Sequence, residues 1–311
     1  MPDFVSLQAA LLPLRFDPHI DAIPIGMREY NAFYQLGDLP VTSHIGTVPC
    51  NTGQLAVQYW LPDNATETVL IVHGYYDHIG LYGHVIRHFL ARGYAVLGFD
   101  LPGHGLSTGE RASIPSFDCY ADAITSVLAA AVDKLPPVAV ALGQSTGCAA
   151  LMNGLMRNTI APVPSLILLA PLLRPCGWAH HGEWVYALLH RWVRHVPRKF
   201  NVNSSDIAFV DFCKRGDPLQ TRQLSVQWVG AMKHWLEHFE SQPTIPTHTL
   251  LVQGDADTTV DWRYNVPKLI EKLPDCRLEY LPTAQHHLVN ESPALREQLW
   301  QIIDHFLQSP D

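Results

Sequence analysis

The sequence is short of basic residues and carries no long apolar run. Lys and Arg number 21 against 29 Asp and Glu, a formal net charge of −8, so the basic face that nucleic-acid binding requires is missing. No stretch of 18 apolar residues occurs, which leaves nothing to span a membrane as a helix. Residues 1–18 are interrupted by Asp3, Pro13, Arg15 and Asp17 and lack the apolar centre of a secretory signal, so a cytoplasmic protein is expected. The cysteines, at 50, 119, 148, 176, 213 and 276, show no C-x-x-C spacing. They read as reduced and mostly buried rather than as a disulfide framework. Internal repeats and low-complexity tracts are also missing. His84 and His88 have the i, i+4 spacing of a metal pair, but no Glu adjoins His84 and no third ligand is evident. No metal and no other cofactor is therefore expected.

What is present begins with Gly143-Gln144-Ser145-Thr146-Gly147. The apolar run 138–142 precedes it and the helix-compatible run 148–152 follows. That is the strand–turn–helix context of a nucleophile elbow, in which a tight turn thrusts the serine hydroxyl outward. Gly143 and Gly147 have no side chain to obstruct the turn.

A serine alcohol needs a base, and the base needs an orienting acid. In this elbow class the chain order is Ser, acid, His. Downstream, the strand-like run 249–254 leads into Asp255-Ala256-Asp257, and the run 278–282 leads into His286-His287. Both pairs follow strand ends, where ligands collect in open α/β sheets. Asp255 or Asp257 can be the acid, with Asp261 further from the strand end, and His286 or His287 the base. The strand 166–169 has no carboxylate after it, which removes the variant with the acid there. Asp100 is read as holding the turn 102–105 through side-chain to backbone bonds. One oxyanion-hole N–H belongs to the residue after the nucleophile, Thr146.

Five segments together resemble the α/β-hydrolases of the monoacylglycerol lipase, lysophospholipase and serine aminopeptidase group. They are 72–78 (Val-His-Gly-Tyr-Tyr-Asp-His), 99–107, 143–147, Gly254-Asp255-Ala256-Asp257 and 284–291. The resemblance implies Asp257 as the acid, His286 as the base and the Tyr75 N–H as the second oxyanion donor, with His73 bracing its loop. It implies an α/β-hydrolase fold; the alternation of strand-like and helical runs implies a mostly parallel central sheet with helices on both faces, and the Trp and Leu content of the long strandless interval 171–246 implies a helical cap insertion. On this reading residues 1–44 are an N-terminal extension, 45–171 and 247–311 form the core, and 172–246 form the cap, with no strand in it.

Strands are expected at 68–72, 94–99, 138–142, 165–169, 248–253 and 277–281, after a hairpin of 45–49 and 54–61. Helices are expected near 79–92, 115–134, 146–158, 263–272 and 293–308. In the cap, Trp178, Val185, Leu189, Trp192 and Val196 fall on one face at 100° per residue. Trp178, Leu189 and Trp192 are taken as the substrate entrance. Arg191, Arg194, Arg198 and Lys199 would then meet solvent or an anionic lipid surface.

The expected function is hydrolysis of a small-molecule carboxylic ester, of monoacylglycerol or lysophospholipid type, with at most peripheral contact with a membrane surface and no nucleic acid. An aminopeptidase is the alternative. It would need an acidic group in the pocket to hold the substrate amine, for which Glu183 and Asp206 are candidates. A non-catalytic binding module on the same fold is the third reading.

Overall fold

The computed structural model describes residues 3–16 and 24–308, except for the side chains of His180 and Leu189. The strands are β1 (Ser43–Cys50), β2 (Gly53–Trp60), β3 (Thr68–Val72), β4 (Ala95–Phe99), β5 (Val138–Gln144), β6 (Ser165–Leu169), β7 (His195–Pro197), β8 (Gln223–Ser225), β9 (His248–Gly254) and β10 (Cys276–Leu281). The helices are α1 (Phe4–Ala10), α2 (Met27–Phe33), α3 (Gly83–Leu90), α4 (Asp118–Ala131), α5 (Thr146–Met156), α6 (Glu183–Leu189), α7 (Ile207–Asp211), α8 (Val226–Phe239), α9 (Trp262–Ile270) and α10 (Pro293–Gln308).

Eight strands make one sheet in the order β1-β2-β4-β3-β5-β6-β9-β10. The hairpin β1–β2 turns at Asn51-Thr52, β2 runs antiparallel to β4, and every later neighbour is parallel. Central strands are mostly apolar, without strict alternation, because both of their faces are covered. Leu70, Val72, Leu97 and Phe99 point into one core, with α4, α5, α8 and α9. Val69, Ile71 and Val96 point into the other, with α1, α2, α3 and α10. Each such Val, Leu or Ile buried contributes about 1.5–3 kcal/mol.

Helices α1 and α2, ahead of the hairpin, pack on this second core. Phe4 sets its ring 5.5 Å from Tyr30 and 5.6 Å from Tyr34. Leu12 and Leu14 exchange main-chain hydrogen bonds with Thr47 at 2.8 and 2.9 Å and so cover part of the β1 edge. β1 itself begins at Ser43, inside the stretch read as an extension.

Between β6 and β9 the chain forms a wide turn at Trp178–Gly182, then α6, β7, α7, β8 and α8. The sequence reading had no strand here. β7 and β8 pair antiparallel over three residues each, too few for alternation to register. Helix α8 is anchored by Trp228, Met232, Trp235 and Phe239, which enter the core beside Phe117.

One buried cluster joins three parts of the chain. Asp217, ahead of β8, accepts a 2.7 Å hydrogen bond from the Tyr34 hydroxyl and lies 3.0 Å from His78 Nε2. Burial opposes both charges, but each partner's charge and their hydrogen bond outweigh it. Asp217 is held below the ordinary carboxylate value and His78 above the ordinary imidazole value. Asp217→Ala leaves His78 buried without its counter-charge, so unfolding stability is expected to fall by about 3–5 kcal/mol. Urea denaturation checks this, and an unchanged midpoint would refute the pairing as a structural tie.

Candidate active site

β5 ends at Gln144 and α5 starts at Thr146, so Ser145 alone makes the turn, at φ 53° and ψ −111°. That conformation costs a residue with a Cβ about 1–3 kcal/mol and persists only where its surroundings enforce it. Here the Ser145 N–H donates to the Leu169 carbonyl at 2.9 Å. A Cβ on Gly143 would lie 2.7 Å from the Cys148 nitrogen, and one on Gly147 would lie 2.1 Å from the Val72 carbonyl oxygen. The two glycines let α5 start directly against β3.

The turn presents Ser145 Oγ at 2.9 Å from His286 Nε2, and His286 Nδ1 lies 2.7 Å from Asp257 Oδ2. Asp257 stands just past β9. Its Oδ1 accepts the N–H groups of Thr259 at 2.7 Å and Val260 at 3.2 Å, and Gln253 Nε2 donates to Oδ2 at 3.1 Å. Burial alone would raise this carboxyl's pKa; the charge of His286 and these donors hold it below the ordinary value instead. Burial likewise pulls His286 down, and Asp257 more than offsets it, leaving the imidazole above its usual value. The His286 main chain is fixed from two sides: its carbonyl accepts from Gln144 Nε2 at 2.9 Å, and its N–H donates to Asn203 O at 3.1 Å.

The rival groups are engaged elsewhere. Asp255 accepts the Thr283 N–H at 2.7 Å, and Asp261 pairs with Arg174. His287 Nε2 lies 3.0 Å from Asp77 Oδ2, which also accepts from the Tyr82 hydroxyl at 3.0 Å; that hydroxyl in turn accepts the Gly74 N–H at 3.1 Å. The second histidine thereby secures the loop that carries Tyr75. His73 braces the same loop: Leu101 N–H donates to its Nε2 at 2.9 Å, and its Nδ1 lies 2.8 Å from Gly74 O. Burial and the nearby His104 push its pKa down to about 3, so it is neutral. Asp100 holds its turn as expected, accepting Ile79 N–H at 2.8 Å and Leu106 N–H at 2.7 Å.

Ser145, His286, Tyr75 and Thr146 all border one cavity of about 480 Å³. The N–H groups of Tyr75 and Thr146 have no acceptor among the described residues. Thr146 also opens α5, whose N-terminal dipole favours negative charge. Donors left open at that place can take the oxygen of a tetrahedral intermediate. Apolar lining comes from Trp178, Val185, Trp228 and Met232.

The expected entrance is divided. Trp178 borders the cavity, whereas Trp192 does not and is 86% exposed. Helix α6 ends at Leu189, so the 100° face never reaches Trp192; the Leu189 side chain lies outside the described residues. Of the four cations expected to meet solvent or an anionic lipid surface, Arg198 and Lys199 border the cavity, and Arg198 is half-buried. Glu183 pairs with Lys233 at 3.0 Å and Asp206 with Arg296 at 3.6 Å, and neither borders the cavity. All six cysteines are free thiols, but only Cys148 is buried, and Cys176 is exposed. Sequence reading assigned no role to Asp77 or Asn203. Asp77 stands within a recognised segment, while Asn203 reads as an ordinary loop residue.

With this geometry in view, a family model described as "Serine aminopeptidase, S33" matches residues 63–293. An uncharacterized abhydrolase domain-containing protein of Dictyostelium discoideum is 32% identical over 214 residues, 65% of this chain but 22% of that protein, so the chain spans less than a quarter of this relative. Phospholipase YtpA of Bacillus subtilis is 25% identical over 211 residues, 65% of this chain and 80% of its own length. Among solved structures, the monoacylglycerol lipase of Paleococcus ferrophilus superposes with a TM-score of 0.69 at 20% identity, over 82% of this chain and 98% of the other. The likeness is one of fold, the α/β-hydrolase fold. The chain belongs to the hydrolase family of serine aminopeptidases, S33.

Proposed function

We propose that the protein hydrolyses carboxylic esters of medium-to-long acyl chains, of monoacylglycerol or lysophospholipid type, with Ser145, His286 and Asp257 as the catalytic triad. The observation that carries this reading is the unbroken chain Ser145 Oγ–His286–Asp257 opening on a cavity with apolar lining. Ser145 Oγ attacks the ester carbonyl as His286 Nε2 takes its proton. The carbonyl oxygen becomes an oxyanion and receives the N–H groups of Tyr75 and Thr146, each typically worth about 3–4 kcal/mol in the transition state. His286 returns the proton to the departing alcohol. Water, activated by the same imidazole, then releases the fatty acid, and Asp257 stabilises the imidazolium in both halves. The segment 172–246 acts as a cap whose Trp178 and Val185 receive the acyl chain. Trp184, Leu188 and Trp192 stand exposed on that cap, and peripheral contact with a lipid surface would use them.

An aminopeptidase needs a free carboxylate for the substrate amine. Among the described residues lining the cavity the only carboxylate is Asp77, already bound by His287 and Tyr82. This favours the ester. Rates on p-nitrophenyl esters of rising chain length, run beside aminoacyl anilides, test the choice: faster anilide cleavage would overturn it. Labelling of Ser145 by a fluorophosphonate separates the enzyme from a non-catalytic binding module.

The pH profile follows from the electrostatics. Only neutral His286 can accept the serine proton, so kcat/KM is low below its pKa and rises through it. Because Asp257 raises that pKa, the midpoint is expected above the ordinary value of about 6.5. Asp257, held low, stays ionised throughout. A midpoint well below 6, with chemistry rate-limiting, would contradict the assigned pair.

A further inference from the structure

Arg198 reaches the catalytic cavity from the segment after β7 and is half-buried there. Its guanidinium carbon lies 3.8 Å from the Tyr76 ring centre and 4.2 Å from that of Phe200. Nη1 donates to the Gln220 side chain and, at 3.3 Å, to the Thr221 carbonyl. Nε and Nη2 have no acceptor, and no carboxylate pairs with the group, among the described residues. Two aromatic faces and one glutamine thus hold a cation in place while half of its donor fork stays open. Removing a charge from water without a counter-charge is unfavourable, and burial accordingly lowers its pKa.

The surroundings repeat the sign. Lys199 borders the same cavity, and an adjoining cavity of about 60 Å³ is shared by Arg198 and Lys214. Asp77 is the carboxylate facing them, and it is taken up by His287 and Tyr82. Tyr76, on which Arg198 stacks, follows directly after Tyr75, the oxyanion donor. The cationic group therefore lines the same cavity as Ser145, while Trp178, Val185 and Met232 provide the apolar lining for a chain.

We propose that the substrate is an acyl ester whose alcohol part carries a phosphate, and that Arg198 binds this phosphate through Nε and Nη2. A guanidinium offers two parallel N–H groups that match two phosphate oxygens, and a neutral glycerol leaves both donors and the charge unanswered. This inference rests on the ester-hydrolase reading above and narrows its substrate class. The bond broken is the carboxylic C–O bond: water supplies OH to the acyl group and H to the alcohol oxygen, and the P–O bonds stay intact.

The test compares 1-decanoylglycerol, 1-decanoylglycerol 3-phosphate and 1-decanoylglycerophosphocholine, each below its aggregation concentration so that no lipid surface contributes. Wild-type kcat/KM is expected to be roughly 10–100-fold higher for the phosphate-bearing esters than for the glycerol ester. Arg198→Gln should remove most of that ratio and Arg198→Lys should keep part of it. Equal losses on all three substrates would reduce Arg198 to a support for Tyr76 and overturn the proposal. A further arm needs no variant: glycerol 3-phosphate should slow fluorophosphonate labelling of the wild type more than glycerol does, and equal protection would count against the site. The two readings fail separately. Wild type that cleaves p-nitrophenyl decanoate without preferring phosphate sinks this inference alone; wild type that cleaves no ester and resists labelling sinks the hydrolase reading as well.

Discussion

Replacing Ser145 with Ala is expected to lower kcat by roughly four to six orders of magnitude with little change in thermal stability. In the proposed mechanism Oγ is the attacking atom, and its removal deletes one buried contact, the hydrogen bond to His286 Nε2. His286→Ala should lose a comparable factor, because an alcohol without a base is scarcely nucleophilic at neutral pH. Asp257→Asn should lose less, since the acid acts only through the imidazole. The double variant Ser145→Ala/His286→Ala should be hardly worse than either single one, as members of one unit do not act additively. His287→Ala provides the contrast. It frees Asp77 and loosens the loop bearing Tyr75, so it should lower kcat by less than His286→Ala does. Turnover of p-nitrophenyl butyrate, with melting curves for each variant, decides the matter. Activity kept in His286→Ala and lost in His287→Ala would move the base to the second histidine.

The elements legible in the sequence were those set by local constraints. Central strands show because both faces are buried, and the elbow shows because only glycine tolerates the contacts at 143 and 147. The choice between Asp255 and Asp257 was different. Both stand past the end of β9, and what separates them is that Asp255 turns back to the Thr283 N–H, a contact 28 residues away. The pair His286 and His287 is split in the same way, by Ser145 on one side and Asp77 on the other. The cap was read worst. A helical face can be drawn through Trp192 only if the helix continues, and α6 stops at Leu189, where His190 bonds its ring back to the Tyr186 carbonyl at 3.1 Å. Nor does periodicity reveal that Arg198 is drawn inward, since its partners Tyr76 and Gln220 come from distant parts of the chain. The seven-residue helices α1 and α2 dock through Phe4, Tyr30 and Tyr34, which meet only in the folded protein.

Gly147→Ala is expected to be the most damaging single-methyl change. The added Cβ would lie 2.1 Å from the Val72 carbonyl oxygen and 2.7 Å from that of His73. Both are backbone atoms at the end of β3, a strand bonded on both sides to β4 and β5, so neither can rotate away as a side chain would. Relief requires the start of α5 to lift off the sheet or the loop after β3 to move. The first shifts Ser145 and the Thr146 N–H, and the second shifts the Tyr75 N–H. Each route separates Ser145 from one of the proposed oxyanion donors, and loss of one such donor typically lowers kcat by about 10²–10³. Stability should fall as well, by about 3 kcal/mol, the upper part of the usual range for overpacking. Gly37→Ala is the matching control: nothing lies within 4 Å of its added Cβ, and its stability should stay within about 0.5 kcal/mol. Kinetics below the melting transition separate the two effects, because a folded Gly147→Ala protein should still be slow. A Gly147→Ala variant with normal stability and normal kcat would mean that α5 does not start against β3, and the elbow geometry on which the site depends would have to be abandoned.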